Sequence, residues 1–314
     1  MDDAQFSLRT QLILVILLAA ILSVGLVFYY GQQDEDQHTG YAFGKAAVIA
    51  SQIASTQQQI ITNTELFLKK LAQSAAVQDP ADPQCGRYLA TLLGSSPVFV
   101  NIGVPRADGE LLCNALPLKK RVNVMDRDYF QRSLRQRVFA IGDFQQDRAA
   151  GVTSVNFSYP VIAPATDTVV GVAVAVVSLR WWSERLQEFK LPPDSVAFIV
   201  DSNQTLVANY PHLKQDLGQP STIYGVQELP VAIAGPLTER VVGGDGVARA
   251  YAHSVLYQSP DRGRVTVSVG IPLDHADSEI KQWLRYLLVL LLGVITLFAA
   301  LTLFKIRGAL RRSG

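Results

Sequence analysis

Strong net charge is the first property that this sequence lacks. Its 314 residues include 28 basic and 27 acidic side chains, which leaves a formal charge of +1. Proteins that bind nucleic acid usually need a concentrated basic face, so the composition predicts no nucleic-acid partner.

The residues of metal and catalytic sites are also scarce. The chain has two cysteines and four histidines, and the histidines are scattered without the spacing of a zinc site. G-x-S-x-G, H-E-x-x-H and Walker motifs do not occur. The sequence therefore predicts no catalytic residues, no metal and no cofactor.

Charged residues amount to 18%, below the roughly 25% of an average soluble domain. The deficit lies in two segments of 19 uncharged residues, Leu12 to Tyr30 and Tyr286 to Phe304. As helices they would each span about 28 Å, the hydrocarbon thickness of a bilayer. We predict two transmembrane helices, 12–30 and 286–304. The alternatives are a cleaved signal peptide for the first and a buried core helix for the second.

The charges that flank these segments predict their orientation. Four basic residues and no acidic residue follow the second segment, whereas Asp34, Glu35 and Asp36 follow the first. The positive-inside rule places both termini in the cytoplasm and residues 31–285 outside an inner membrane, whose lipids the two spans would contact. The predicted cytoplasmic parts are residues 1–11 and the basic tail 305–314.

The two cysteines, Cys85 and Cys113, both lie in the predicted outer segment. An even number of cysteines in an oxidising compartment is most simply a disulfide. Two unpaired buried thiols are the alternative.

A long helix is predicted at the start of the outer segment, as a stalk over residues 31–80. A mixed apolar seam follows a near-heptad spacing and predicts a parallel homodimer through the stalk. Packing of this helix on its own domain is the alternative reading. The Asp79 to Pro83 segment is expected to end the helix. The seam consists of Ile49, Ile53, Ile60 and Phe67.

Short strands and turns follow, and their pattern occurs twice. Each pass contains a hairpin, a connection and a second hairpin. The strands are predicted at 98–104 with 110–116 and 154–163 with 169–179, then at 196–200 with 205–210 and 248–255 with 264–271. The first connection contains a predicted helix from Asp128 to Arg137. Two tandem antiparallel α+β domains are therefore predicted, 81–182 and 183–280.

The segment Val122 to Phe130 (VNVMDRDYF), followed by Phe139 to Gly142 and Tyr159 to Val161, resembles double Cache sensor domains. The resemblance implies an α+β fold in which two transmembrane helices flank a long stalk helix and two tandem PAS-like antiparallel-sheet domains. It implies an extracytoplasmic sensor of a small ligand, with the ligand in the membrane-distal domain.

Such sensors act on a cyclase, phosphodiesterase or kinase. Only ten residues follow the second predicted span, so we expect the output domain on a longer chain or on a separate partner. A membrane protein that holds a periplasmic partner without signalling is the alternative function. A membrane enzyme is disfavoured because no catalytic set is present.

In the family, the segment that matches Arg127, Tyr129 and Phe130 borders the ligand pocket. An arginine fork can hold a carboxylate, so a small carboxylate or another small anion is the expected ligand. The alternative is structural, with Asp126 or Asp128 capping a helix and both rings in the core. Cache domains that bind amino acids have a sequence pattern that differs from this chain at the positions of Val122, Asp128 and Tyr129. The predicted site residues are Arg127, Asp128, Tyr129 and Phe130, with Asp143 and Tyr159 on the far wall.

Two further segments invite a functional interpretation. Val242 to Gly246 resembles the GGDEF signature of diguanylate cyclases, but Gly246 and Val247 stand where that signature has Glu-Phe. A glycine-rich hairpin turn is the better prediction. The Trp181–Trp182 pair is predicted to pack between domains rather than to form a ligand cage.

Overall fold

The computed structural model describes residues 8–211, 216–226, 237–258 and 264–273, together with positions 286 and 293. The chain divides into two compact units, one of residues 1–42 with 273–314 and one of residues 43–272. Within the described residues, no helix is both long enough and apolar enough for a membrane crossing. The second predicted span, 286–304, lies outside the described residues except for those two positions.

Helix α1, Leu8–Ala72, is the longest element of the chain that the structure describes. It ends before residue 80, because Ser74 accepts a hydrogen bond from the Ala76 N–H and begins a short 3-10 turn. Asp82 then caps helix α2, Pro83–Gly94, by accepting from the Gln84 N–H. Proline at the first position of α2 suits a helix start, since that N–H has no intrahelical partner. The Asp79 to Pro83 segment therefore contains the start of a second helix, which the sequence reading did not predict.

The part of α1 after residue 42 buries one face against its own chain, with residues recurring at intervals of three and four. Gln57 lies in this face with both side-chain polar atoms buried. The predicted dimer seam is wrong at Ile53, whose side chain is fully buried in the same chain. Phe67 packs on Phe99, with ring centroids 5.0 Å apart. The buried face comprises Ala46, Ala50, Ile53, Gln57, Ile61, Thr64, Leu68 and Leu71.

The first repeat folds as an antiparallel sheet whose strands lie in the order β2-β1-β6-β5-β3, with β4 also paired to β5. Helix α3 crosses between the two hairpins, and helix α4 follows the last strand directly. The elements are β1 Asn101–Val104, β2 Cys113–Asn114, α3 Asp128–Gln136, β3 Ala140–Ile141, β4 Gln145–Gln146, β5 Thr153–Ala163, β6 Thr168–Ser178 and α4 Leu179–Gln187.

The second repeat forms a sheet with the order β8-β7-β11-β10-β9. In both sheets the first strand of the first hairpin pairs with the last strand of the repeat, β1 with β6 and β7 with β11. The predicted tandem repeat of antiparallel α+β domains is thereby confirmed. The strands are β7 Val196–Val200, β8 Leu206–Tyr210, β9 Leu237–Val242, β10 Ala248–Gln258 and β11 Arg264–Pro272.

The GGDEF-like segment is the turn between β9 and β10, as predicted. The Gly243 N–H donates to the Val247 carbonyl oxygen, and the Gly246 N–H donates to the Gly243 carbonyl oxygen. Gly246 has a φ of 77°, a conformation that L side chains rarely adopt. The turn geometry therefore accounts for these glycines.

Helix α4 joins the two repeats and contains the predicted domain boundary at 182/183. Its first residues follow β6 without a loop because Ser178 caps the helix through the Trp181 N–H. Trp182 stacks on Phe157 of β5, with ring centroids 6.4 Å apart, and Ser183 Oγ accepts from the Asn209 N–H of β8. Trp182 therefore packs against the first repeat, and packing of the tryptophan pair between the two domains stays a prediction.

Candidate ligand-binding site

A small pocket opens on one face of the first sheet. Side chains of alternate strand residues project from the same face of a sheet, which places Asn101 with Gly103 and Val174 with Val176 in its floor. Pairing of β1 with β6 sets Asn101 opposite Val176 and Gly103 opposite Val174. Strand pairing thus assembles a floor from segments more than 70 residues apart in sequence.

Arg127 joins the two walls of the pocket, which are formed by residues 122–129 and 145–149. It is the N-cap of α3, with an extended backbone (φ −81°, ψ 130°) and no side-chain cap. Its Nη2 donates to the Gln146 carbonyl oxygen at 3.0 Å. This is the one hydrogen bond of the Arg127 side chain within the described part of the chain, so most donors of the guanidinium fork stay available.

A second arginine ties the same two walls together. Arg148 binds the Asp126 carboxylate through both terminal nitrogens, at 2.5 and 2.7 Å, and its Nη1 also donates to the Asn123 carbonyl oxygen at 2.6 Å. Hydrogen bonding to Arg148 lowers the pKa of Asp126, and the same bonds raise the pKa of Arg148. Asp126 therefore compensates the positive charge of Arg148, whereas Arg127 contributes a positive charge to the pocket lining.

A buried polar network forms the wall behind Arg127. Burial raises the pKa of Tyr129 to about 12, so its hydroxyl stays protonated at neutral pH. Asn156 Nδ2 donates to the Tyr129 hydroxyl at 3.3 Å and to Asp147 Oδ2 at 3.0 Å. Asp147 Oδ1 accepts from the N–H groups of Ala149 and Ala150. These bonds fix a carboxylate in the same pocket lining as Arg127.

Two amides occupy the floor. Asn101 Nδ2 donates to Asn114 Oδ1 at 2.9 Å, and Asn114 Nδ2 donates to the Leu116 carbonyl oxygen at 2.8 Å. Two further polar atoms of the lining, Asn101 Oδ1 and Gln145 Nε2, are buried and have no hydrogen-bond partner among the described residues.

The structure brings two of the six predicted site residues to the pocket, Arg127 and Tyr129. Phe130 is fully buried in the core beneath α3 and does not line the pocket. Asp128 pairs with Arg132 of the same helix at 2.8 Å. Phe130 and Asp128 therefore lie outside this pocket, because successive helical residues are rotated by about 100° and face different directions.

The two residues predicted for the far wall lie elsewhere. Asp143 Oδ1 accepts a hydrogen bond from Ser202 Oγ at 2.6 Å, so it contacts the second repeat. Tyr159 follows Phe157 by two residues on β5, whereas Asn156 and Ser158 hydrogen-bond to Tyr129. Tyr159 therefore faces the opposite side of the sheet from the pocket.

The sequence reading missed the polar residues Asn101, Asn114, Gln145, Asp147 and Arg148. Asp147 lies a few residues after the Phe139 to Gly142 segment that carries the resemblance, and this proximity was the available signal. The two asparagines have none, because only strand pairing brings them to the pocket. Within the residues that the structure describes, no group of three or more His, Cys, Asp and Glu side chains could hold a metal ion.

Comparisons with known proteins agree with this fold. A sequence model described as Cache domain matches residues 33–253. No curated protein sequence matches the chain significantly.

Among solved structures, the extracellular domain of rpHK1S-Z16, described as a histidine kinase, matches with a TM-score of 0.62 and 19% identity, over 75% of this chain and 96% of that one. The ligand-binding domain of the Pseudomonas fluorescens chemoreceptor CtaA, in complex with L-alanine, gives 0.58 and 16%, over 73% and 96%. That of the Pseudomonas aeruginosa amino acid chemoreceptor PctB, in complex with L-Arg, gives 0.58 and 16%, over 75% and 97%. At these identities the likeness establishes the fold.

Proposed function

Because the chain belongs to the Cache domain family, we propose that it is the extracytoplasmic input module of a transmembrane receptor. Its ligand is a small organic anion that binds in the pocket of the first repeat. The single observation that carries the proposal is Arg127, a charged guanidinium in the pocket lining with one hydrogen bond to the protein among the described residues.

The chemistry of the pocket favours a carboxylate. An arginine fork matches the geometry of a carboxylate and binds it through two parallel hydrogen bonds. The apolar floor residues Val174 and Val176 would cover an aliphatic body, as is usual in small-molecule sites. Asp147 adds a negative charge in the same pocket, so a zwitterion is compatible with it. The amino acids bound to CtaA and PctB belong to that class.

The receptor function also rests on the charge pattern of the sequence. The spans 12–30 and 286–304 would hold the sensor outside an inner membrane with both termini in the cytoplasm. The signal would reach a cyclase, phosphodiesterase or kinase on the same polypeptide or on a partner. A ligand can drive such a switch only through different affinities for the two receptor states.

The test is a thermal-shift screen of the full chain in detergent against small carboxylates, amines and amino acids. The screen is repeated with Arg127→Ala and with the control Arg135→Ala, since Arg135 is an exposed arginine of the same helix that does not line the pocket. We expect carboxylates to stabilise the unaltered protein and Arg135→Ala, and to lose at least about tenfold in affinity for Arg127→Ala. A ligand that stabilises all three proteins equally would remove Arg127 from the site.

A further inference from the structure

The amide pair in the pocket floor has a fixed direction. The Leu116 carbonyl oxygen can only accept, so the group of Asn114 that faces it must be the NH₂ group. Asn114 Oδ1 therefore faces Asn101, and it can only accept from Asn101 Nδ2. The amide of Asn101 cannot be turned over without placing two oxygens against each other.

This direction leaves Asn101 Oδ1 as a hydrogen-bond acceptor without a partner among the described residues. Asn101 is 2% exposed and lines the pocket. Buried polar groups in proteins are almost always hydrogen-bonded, and a buried acceptor without a donor is unfavourable. A donor is therefore expected from whatever fills the pocket.

The backbone is adapted to this arrangement at Gly103. A Cβ atom at this position would come within 2.8 Å of Asn114 Oδ1 and 3.0 Å of Leu111 Cδ1. The glycine thus leaves room for the amide that orients Asn101.

The pocket lining contains the complementary group as well. The amide of Gln145 lies in the same lining, with its buried Nε2 without a partner within the described ranges. No hydrogen bond there fixes the direction of this amide, so its N–H₂ group is able to face a ligand as a donor. One acceptor and one donor are what a primary carboxamide needs, since its N–H₂ group donates and its carbonyl oxygen accepts.

We propose that Asn101 is a specificity-determining residue, and that the pocket selects small carboxylates that carry a primary amide. Arg127 binds the carboxylate, Asn101 Oδ1 accepts from the ligand amide N–H, and Gln145 Nε2 donates to its carbonyl oxygen. This inference rests on the proposed function, because it assumes that the ligand is anchored at Arg127.

The experiment compares two amides with methyl ketones of the same length, by calorimetric titration of the full chain in detergent. Succinamate is compared with levulinate, and glutaramate with 5-oxohexanoate. Each ketone keeps the carboxylate and the carbonyl oxygen and replaces only the amide N–H₂ with a methyl group. We expect the better amide to bind about 10-fold to 100-fold more tightly than its ketone, because the ketone leaves Asn101 Oδ1 unpaired.

Asn101→Leu should abolish this preference, so that the amide and its ketone bind with similar affinity. The ratio measured on the unaltered protein decides the question even if Asn101→Leu fails to fold. Ketones that bind as tightly as amides overturn the inference, as does binding of other carboxylates when neither amide binds. If these ligands still depend on Arg127, the proposed function stands. If no carboxylate binds at all, the proposed function and the inference both fail.

Discussion

At the residue scale, His253 illustrates how a buried titratable group is held neutral. Its Nε2 lies 3.0 Å from Glu239 Oε1, and its Nδ1 lies 2.7 Å from Ser268 Oγ. An ion pair with Glu239 would raise the pKa of His253, but burial dominates and lowers it to about 4. Burial also raises the pKa of Glu239. Both shifts fit a neutral imidazole whose Nε2–H donates to the carboxylate and whose Nδ1 accepts from Ser268.

This arrangement predicts a loss of stability in acid. The folded pKa of His253 is about 4, whereas that of an unfolded histidine is about 6.5. The neutral form is favoured in the folded state, so this contribution is fully present above pH 6.5 and declines as the pH falls toward 4. It amounts to about 2–4 kcal/mol. The expected observation, by urea unfolding between pH 7.5 and 4.5, is a steeper decline for the unaltered protein than for His253→Gln, which keeps Glu239. Parallel curves would contradict the assignment.

Residue-level reasoning predicted part of the site. Arg127 and Tyr129 were identified because they lie in one short motif whose resemblance to a family was visible. Asn101 and Asn114 could not be deduced, since their placement depends on which strands pair, and Asp147 had only its proximity to the Phe139 to Gly142 segment as a signal. Phe130 belongs to the same motif but lies in the core. The motif alone does not predict this, because the rotation of α3 decides whether a residue faces the pocket or the core.

At the element scale, the predicted disulfide is present and joins α2 to β2. Cys85 and Cys113 have Cα atoms 5.5 Å apart and close a loop with a sequence separation of 28. Cys85 lies in α2 rather than at the end of α1, so the bond fixes α2, not the stalk, to the first hairpin. Cys113 immediately precedes Asn114 of the pocket floor, so the bond also restrains the edge of the pocket.

Removal of this disulfide should destabilise the protein. The double variant Cys85→Ala, Cys113→Ala frees the loop in the unfolded state, and the expected loss is about 3–4 kcal/mol in the free energy of unfolding. Chemical denaturation with and without reductant measures it. The unaltered protein should lose a similar amount in reductant, whereas the double variant should be insensitive. Equal stability of both proteins would contradict this role of the bond.

Helix α1 carries the predicted dimer contact, which must use the face that its own chain leaves open. Val48 and Leu66 are 67% and 51% exposed, and 18 residues correspond to five helical turns, so they lie on one side. We expect single cysteines at these two positions to form disulfide-linked dimers in membranes, and a cysteine at Ile53 to form none. Both native cysteines are already paired, so the added thiol is the one that reacts. Equal crosslinking at all three positions, or none at any, would leave α1 with intrachain packing alone.

The elements themselves were predictable where periodicity was strong. The predicted bounds of β5, β6, β10 and β11 agree with the observed strands to within a few residues. The predicted bounds of α3 agree with the observed helix to within one residue. Helix α2 was not predicted, because it is short and contains Gly86 and Gly94. Helix α4 was not predicted, because it follows β6 without a loop and its first residue continues the apolar run of the strand.

At the scale of the whole molecule, the topology remains a prediction from the charge pattern. Alkaline phosphatase fused after residue 150 should be active, since that position lies in the sensor, and the same enzyme fused after Gly314 should be inactive. β-Galactosidase fusions at both positions serve as the reciprocal control. Activity in the reverse pattern would exclude an extracytoplasmic sensor.

The central claim is that the first repeat is the ligand-binding domain. The most direct measurement is amide hydrogen exchange of the full chain with and without the carboxylate that gives the largest thermal shift. Ligand binding should slow exchange in residues 122–130 and 145–150, the two walls that Arg127 and Arg148 connect. Protection confined to the second repeat, at residues 196–210 and 248–258, would contradict the account.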